Sequence, residues 1–526
     1  MKNAVNQRFI KRALISVTEK VHIVDFARQL RERHVEIIAT DGTAKLLKKH
    51  QIAVTDVSAY TGFPEILDGR VKTLHPKIYG GLLSRSGVDE DVLKQYAMES
   101  IDLLVVNLYQ FIKNVSSHRA FEKSIEQIDI GGHSLLRAGV KNFKSVTVVV
   151  DPNDYSLVLQ EMDTHFNTTS LSTRRTLAKK TLEYLLNYDS KILSSLQAVI
   201  VSSSFPSKLP ITVKKKKDLC YGENPHQIAA LYSTVPPLPN SLTSAQQLHG
   251  KPLSFNNLLD GDCAYRTVWE AQQAMIPTCA IVKHATPCGV AQGKNQLIAY
   301  EKAYSTDPLS AFGGVIAFNS TVEIETAKIL RKKFIEVIIA PSFTIDALEI
   351  LKKKPNLRLL KVHPFDKGML DFSFSFHSII GGLLVQKEDT AAINFRKFTV
   401  VSQRYPSKKE LQDLYFAWKI VKHVKSNAIV CTKNTATLGI GSGQSSRIFA
   451  VKIAIMKAQE AGLSLENSVM ASDAFFPFID SVEIAEKNGI SAIIQPGGSI
   501  RDKEIIQTTD KAKIAMVFTH QRHFRH

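Results

Sequence analysis

Four short apolar runs in the first 150 residues constrain the fold of this chain more than any other feature. Ala13 to Val17 and Val35 to Ala39 read as strands, as do LLVV from Leu103 and VTVVV from Val146. Val21 to Leu30 has helical spacing, and the polar turn Thr40-Asp41-Gly42-Thr43 precedes a helix expected from about Ala44. Strands that alternate with helices predict a parallel sheet in a doubly wound α/β domain. A polar turn that opens a helix is a natural phosphate site, because free N–H groups and the helix dipole face the anion.

Leu171 to Leu196 reads as a long charged helix, and Ser202 to Lys217 then breaks the pattern with Ser, Pro and Lys. The boundary expected near Ile200 gives two domains, 1–200 and 201–526. The second mixes strands (Ile316 to Phe318, Ile379 to Val385, Ala428 to Thr432, Ala492 to Gln495) with amphipathic helices, and no internal repeat is visible in its residues. No apolar run approaches the ~20 residues of a bilayer span, and the first residues lack the h-region of a signal peptide. The five cysteines are scattered with no C-x-x-C, the usage of reduced thiols in a cytoplasmic protein. The formal net charge is +18, which suits nucleic acid, anionic membranes or small phosphorylated substrates. The basic runs Lys214 to Lys217 and Lys352 to Lys354 carry no interleaved aromatics, so they read as solvated faces rather than a specific nucleic-acid surface.

Chemistry concentrates at Thr278 to Ala291, TCAIVKHATPCGVA. A buried strand delivers Lys283 and His284 to its end, where Pro287 and Gly289 are expected to force a turn. Such a pair can polarise a carbonyl and move a proton, although a solvated pair at a strand end fits these residues equally well. In the first domain, GRVKTLHP (Gly69 to Pro76) gathers cations, a hydroxyl and an imidazole. Gln127 to Gly132 sets Asp129 against paired glycines, with Lys141-Asn142 after a helix. In the second domain, YGENPHQ (Tyr221 to Gln227), DPLSAFGG (Asp307 to Gly314) and GIGSGQSSR (Gly439 to Arg447) are polar or glycine-rich turns, while SDAFFPFID (Ser472 to Asp480) offers two carboxylates and three phenylalanines, a core signal that near polar turns also suits the sandwiching of a flat heterocycle. GIGSGQSSR has the spacing of neither a P-loop nor a dinucleotide fingerprint. Pro287-Cys288 would need a second cysteine at Ala291 to make the P-C-x-x-C of a zinc deaminase, so no catalytic metal is expected.

The order of these motifs, with NLYQF, SNAI, QPGGS and a terminal RHFRH, resembles the bifunctional purine-biosynthesis family that joins AICAR transformylase to IMP cyclohydrolase. The resemblance runs over essentially the whole chain. It implies a methylglyoxal-synthase-like α/β domain that closes formyl-AICAR to IMP with loss of water. A duplicated cytidine-deaminase-like domain without zinc follows, and moves a formyl group from 10-formyltetrahydrofolate to AICAR. In the first domain the resemblance places Ser16, Lys20, Gly42 and Thr43 at the phosphate and Arg70, Lys72 and Thr73 in a substrate loop. It places Asn107, Tyr109, Asp129 and Lys141 about the base, with Lys72, Asp129 and Lys141 carrying the chemistry. In the second domain it makes Lys283, His284 and Asn427 catalytic. Tyr221, Gln444, Ser446, Arg447, Phe475, Phe478, Asp480, Arg522 and Phe524 then bind ribotide and folate, and a homodimer is implied.

Four positions depart from the family pattern. Gln110 stands for Pro and Thr286 for Asn, without a change of charge. Asp41 stands for a second Gly of the phosphate turn, and Cys220 for an Arg ahead of YGENPHQ. Two other readings follow from these departures and the +18 charge: a nucleotide- or nucleic-acid-binding protein on a weakened enzyme, and an enzyme with one activity retained.

Overall fold

The computed structural model describes residues 8–109, 122, 124–200, 205–272, 276–364, 374–391 and 393–526. It divides into two compact units, Met1–Thr212 and Val213–His526.

The first unit is built on a five-stranded, all-parallel sheet in the order Thr55–Asp56, Glu36–Ala39, Arg12–Val17, Leu103–Asn107, Thr147–Val149. Successive side chains alternate between its faces. Ala13, Ile15 and Val17 pack with the helices Ile23–Glu32, Asp41–Lys49 and Tyr155–Thr164. Leu14, Leu104 and Val106 pack with Pro76–Leu83, Gly131–Lys141 and Leu171–Ile200 on the other face. Burial on both faces explains why the strands read as unbroken apolar runs. The helix expected from Ala44 begins at Asp41, because Thr40 is still extended and the turn residues themselves are helical.

The second unit contains one twelve-stranded sheet made of two like halves. In the first lobe the strands run Gln246–His249, Arg358–Lys361, Ile335–Ala340, Gly314–Phe318, Thr278–Lys283, Thr286–Gln292. In the second they run Thr399–Val400, Ala515–Phe518, Ile490–Gln495, Ser468–Ser472, Ile429–Lys433, Ala436–Gly441. The parallel and antiparallel neighbours match step for step. The lobes meet where Ala291 pairs with Ala436. Each lobe opens on a capping-box serine, Ser254 or Ser407, before a helix, Phe255–Ala271 or Lys408–Val421. Each also sets a glycine strand against helix backbone: a Cβ on Gly289 would lie 1.9 Å from Ala303 O, and one on Gly439 1.9 Å from Ala454 O. The repeat is carried by topology and packing, so it was hidden in the residues.

Two local expectations are corrected. Pro287 and Gly289 lie inside the strand Thr286–Gln292; the turn is His284-Ala285, with φ of 54° and 55°. Ile379 to Val385 is not one strand but the middle of a hairpin, Phe374–Ile379 with Gly382–Lys387.

Candidate active sites

At the C-terminal edge of the first unit's parallel sheet lies a cavity of about 830 Å³. Its wall includes Ser16, Lys20, Asp41, Gly42, Thr43, Arg70, Lys72, Thr73, Asn107, Tyr109 and Asp129. Strand ends and helix N-termini converge there, as expected for open α/β sheets. Lys20 Nζ donates to Thr43 Oγ1 at 2.8 Å and to Val17 O. Burial holds the Lys20 ammonium below the usual lysine range, and the charge of Lys72 adds to the effect. Asp129 accepts the Gly132 N–H at 2.7 Å, and its own amide donates to the Tyr188 hydroxyl at 2.8 Å. Burial pushes its carboxyl above the usual range, against the pull of the Gly132 and Tyr109 amides and of Lys72. A Cβ on Gly132 would stand 2.8 Å from Asp129 Oδ2, so this glycine is what lets the carboxylate sit on the helix start.

Not every expected residue points at the cavity. Asn107 Oδ1 accepts from the Thr18 and Glu19 amides, so its amide fixes the loop beside the cavity. Arg70 pairs with Glu126. Lys141 is exposed in the last turn of the helix whose first residues, Gly131 and Gly132, line the cavity, and it is absent from the wall. Asp41 does line it, but its carboxylate turns along its own helix to Lys45 Nζ at 2.9 Å, both exposed. Gln110 lies outside the described residues.

In the second unit, Lys283, His284, Thr286, Ser310, Lys425, Ser442 and Lys457 border a cavity of about 320 Å³. Lys283 Nζ donates to Phe312 O and Gly313 O, both at 3.0 Å, which fastens the ammonium to the DPLSAFGG loop. That loop is held by Asp307, which accepts from Ser310 N–H and Oγ and pairs with Lys457 at 2.8 Å. His284 is exposed at the turn. Cys288 is buried, with its thiol pushed up to about 12, first by burial and then by Asp307, so it offers no thiolate.

A second cluster surrounds Asn427. Its Nδ2 donates to Gln444 O at 2.7 Å and its Oδ1 accepts from Arg447 Nη2 at 2.8 Å. Arg447, 6 % exposed, is paired with the fully buried Asp473. Ser446 caps its helix through Phe449 N–H. The C-terminus is laced to this cluster: Ser426 N–H donates to Arg525 O at 2.8 Å, and Arg525 N–H to Ser426 Oγ at 3.0 Å. Arg522 lies over the Phe524 ring, 4.5 Å from its centroid. Phe475 and Phe478 are exposed, whereas Phe476 is core. Asp480 begins a helix and accepts from Ser481 N–H. Tyr221 is exposed on the YGENPHQ turn, which Asn256 Nδ2 ties through Glu223 O to the first turn of the helix Phe255–Ala271. The Lys283-His284 cavity takes in the neighbours of Asn427, Lys425 and Ser442, but not Asn427, Arg447, Phe475, Phe478, Arg522 or Phe524.

Sequence reasoning missed Lys425, Lys457 and Asp260. Asp260 Oδ1 accepts the Ala285 N–H at 2.6 Å. Its only sequence signal was a carboxylate one turn into a helix rich in Asn and Leu. No group of three or more His, Cys, Asp or Glu able to hold a metal occurs among the described residues.

A family model described as AICARFT/IMPCHase bienzyme matches residues 139–457, and one described as MGS-like domain matches residues 22–134. A curated relative, the bifunctional purine biosynthesis protein PurH of Caldicellulosiruptor saccharolyticus, is 49% identical over 521 residues, 98% of this chain and 100% of the relative. The chain belongs to the AICARFT/IMPCHase bienzyme family. It is therefore an α/β enzyme of purine biosynthesis with formyltransferase and IMP cyclohydrolase activities, its N-terminal domain MGS-like. A crystal structure of ForH also matches, at 29% identity over 35% of this chain and 98% of that one, with a TM-score of 0.33, too low to bear on the fold.

Proposed function

We propose that the two cavities divide the two activities. In the second unit the AICAR amine attacks the formyl carbon of 10-formyltetrahydrofolate. His284 takes the amine proton, and Lys283, aided by Asn427, stabilises the oxyanion on the formyl oxygen. The bond from the formyl carbon to N10 then breaks and a proton goes to that nitrogen. In the first unit the carboxamide nitrogen of formyl-AICAR attacks the formyl carbon and water leaves. Asp129 accepts the nitrogen proton and Lys72 serves the departing oxygen. Phosphate is held by Ser16, Gly42, Thr43 and Lys20, and the base region lies between Tyr109 and Thr73. Lys141, away from the wall, is left out of this chemistry. The observation that carries the reading is the pair of fastened cations, Lys283 on two carbonyls next to His284 and Lys20 on Thr43 in the cavity that Asp129 also lines.

Cluster and cavity are not merged within one chain, which supports a site completed across a homodimer. The hairpin Phe374–Lys387 supports it too, because it exposes Ile379, Ile380, Leu383 and Leu384 together. In this reading Gln444, Ser446, Arg447, Phe475, Phe478, Asp480, Arg522, Phe524 and Tyr221 surround ribotide and folate. The doubled topology supports descent of both lobes from one deaminase-like unit. Five free cysteines suit the cytoplasm. The test measures formyl transfer and ring closure separately in His284→Ala and Asp129→Asn. Each variant should lose one activity and keep the other, and loss of both in either folded variant rejects the division.

A further inference from the structure

The turn that presents His284 is an uncomfortable piece of backbone. His284 and Ala285 both adopt left-handed φ, 54° and 55°, a region that costs non-glycine residues energy and persists only when the surroundings impose it. The two-residue hairpin between Lys283 and Thr286 requires it, and Asp260, on the second turn of the helix Phe255–Ala271, clamps it. Its carboxylate accepts the Ala285 amide at 2.6 Å and also takes the His284 amide. The second lobe repeats the arrangement. Asp413, on the helix Lys408–Val421, accepts the Asn434 and Thr435 amides at 2.9 and 2.7 Å, and those residues have φ of 53° and 52°. Lys433 precedes that turn as Lys283 precedes the first. It too is fastened to a carbonyl, Glu466 O at 2.5 Å, ahead of the next strand. The two lobes thus each carry a carboxylate-clamped turn, the first with an imidazole and the second without.

We infer that Asp260 is a positioning residue for formyl transfer: it locks the Lys283-His284 turn and places a negative charge beside the imidazole that accepts the amine proton. The charge matters because the other charged side chains that line the cavity with His284 are ammoniums. Lys283 adjoins His284, and Lys425 and Lys457 line the same cavity, Lys457 being balanced by Asp307. A carboxylate fixed at the turn favours the imidazolium that forms as the proton is taken. Asp413 serves as an internal control: the same bonds to the same kind of turn, with Asn434 in place of the imidazole.

The inference rests on His284 as proton acceptor, so the experiment separates the two. The pH dependence of kcat/KM for formyl transfer is measured in the full chain for the unaltered protein, Asp260→Asn, Asp413→Asn and His284→Ala. Melting curves accompany each, and Asp260→Ser replaces Asp260→Asn should that variant not fold. Loss of the Asp260 charge should lower kcat by ~10-fold or more and move the acid limb of the profile downward by roughly half a unit to one unit. A less basic imidazole is deprotonated at lower pH, so the limb moves down rather than up. Asp413→Asn should lower the melting temperature comparably and leave the limb in place. Equal melting shifts with no displacement of the limb in Asp260→Asn would overturn the inference and leave Asp260 a turn clamp only. Full activity in His284→Ala would instead reject the assignment of His284 itself.

Discussion

The two lobes of the second unit share strand order, clamped turns and helix caps, yet they differ wherever chemistry is expected. The first lobe has His284 at its turn tip and the second has Asn434. Behind the turns the difference reverses. The second lobe buries the ion pair Arg447–Asp473, with Asp473 Oδ1 accepting the Ala428 N–H at 3.0 Å. At the matching place the first lobe has neutral amides. Asn319 Oδ1 accepts the Thr278 N–H at 2.8 Å, and Gln296 donates to Ser320 O and Thr321 O. The hairpins ahead of the lobes also differ: Val213–Leu219 exposes lysines, whereas Gly382–Lys387 exposes leucines. The two lobes repeat their backbone hydrogen bonds but not their polar side chains, with an imidazole at the turn of one and a buried ion pair behind the turn of the other.

The sharpest way to break this comparison is to remove both turn tips. His284→Ala should depress formyl transfer by ~10²–10⁴-fold, the size of a lost general base, with ring closure unchanged. Asn434→Ala should alter neither rate by more than about twofold. Comparable losses from both variants in the formyl-transfer assay would show that the turns act alike and that the asymmetry is incidental.

The buried pair offers the next largest effect. Asp473→Asn leaves the Arg447 guanidinium buried without its counter-charge, at a cost of about 3–5 kcal/mol, read as a lower urea midpoint. Adding Arg447→Gln copies the first lobe's neutral chemistry and should recover most of that stability. Formyl transfer should stay low in the double variant, because Asn427 has lost the hydrogen bond from Arg447 Nη2. Recovery of rate along with stability would make Arg447 a strut rather than part of the site.

These contrasts also mark what was legible from residues alone. The parallel sheet of the first unit was readable because strands buried on both faces are unbroken apolar runs bounded by polar turns. Most of the cavity wall was readable because its residues sit in compact motifs on those turns. The turn at His284-Ala285 was not, since Pro287 and Gly289 are stronger turn signals. Here Gly289 serves the close approach of a helix and Pro287 sits within a strand. Lys141 matched a motif, but a helix rises ~1.5 Å per residue, which carries position 141 some 15 Å beyond Gly131. Asp260 reaches the site through a hydrogen bond across the fold, and no local pattern announces such a bond. Asp41 lay where a carboxylate should oppose phosphate, and its bond to Lys45 diverts it.

The hairpins test the division at the surface. Leu383→Glu should weaken self-association by about 2 kcal/mol or more if the leucines anchor an interface. Sedimentation velocity would show a shift toward monomer, with formyl transfer falling at low protein concentration and ring closure holding. Lys214→Glu, on the other hairpin, should leave the sedimentation coefficient unchanged. An unmoved coefficient in Leu383→Glu would remove the hairpin from the interface.

The smallest expected effect sits at the end of the lysine-bearing hairpin, and it has no counterpart in the second lobe. Cys220 is an exposed free thiol just before the YGENPHQ turn. A thiol is a weak donor and cannot grip phosphate as a guanidinium does. The positive field nearby is partial compensation. Lys217 is close enough to feel Cys220, although burial and Lys216 hold its ammonium below the usual range. A charge-assisted hydrogen bond contributes about 1.5–3 kcal/mol, so Cys220→Arg should lower KM for AICAR by roughly ten- to a hundredfold. Phosphate binding is uniform between ground and transition states, so kcat should hold. KM for the formyl donor and the ring-closure rate should not change. A well-folded Cys220→Arg variant with an unchanged or higher KM for AICAR would mean that another cation already holds the phosphate. Lys217→Ala would then be the variant in which KM rises.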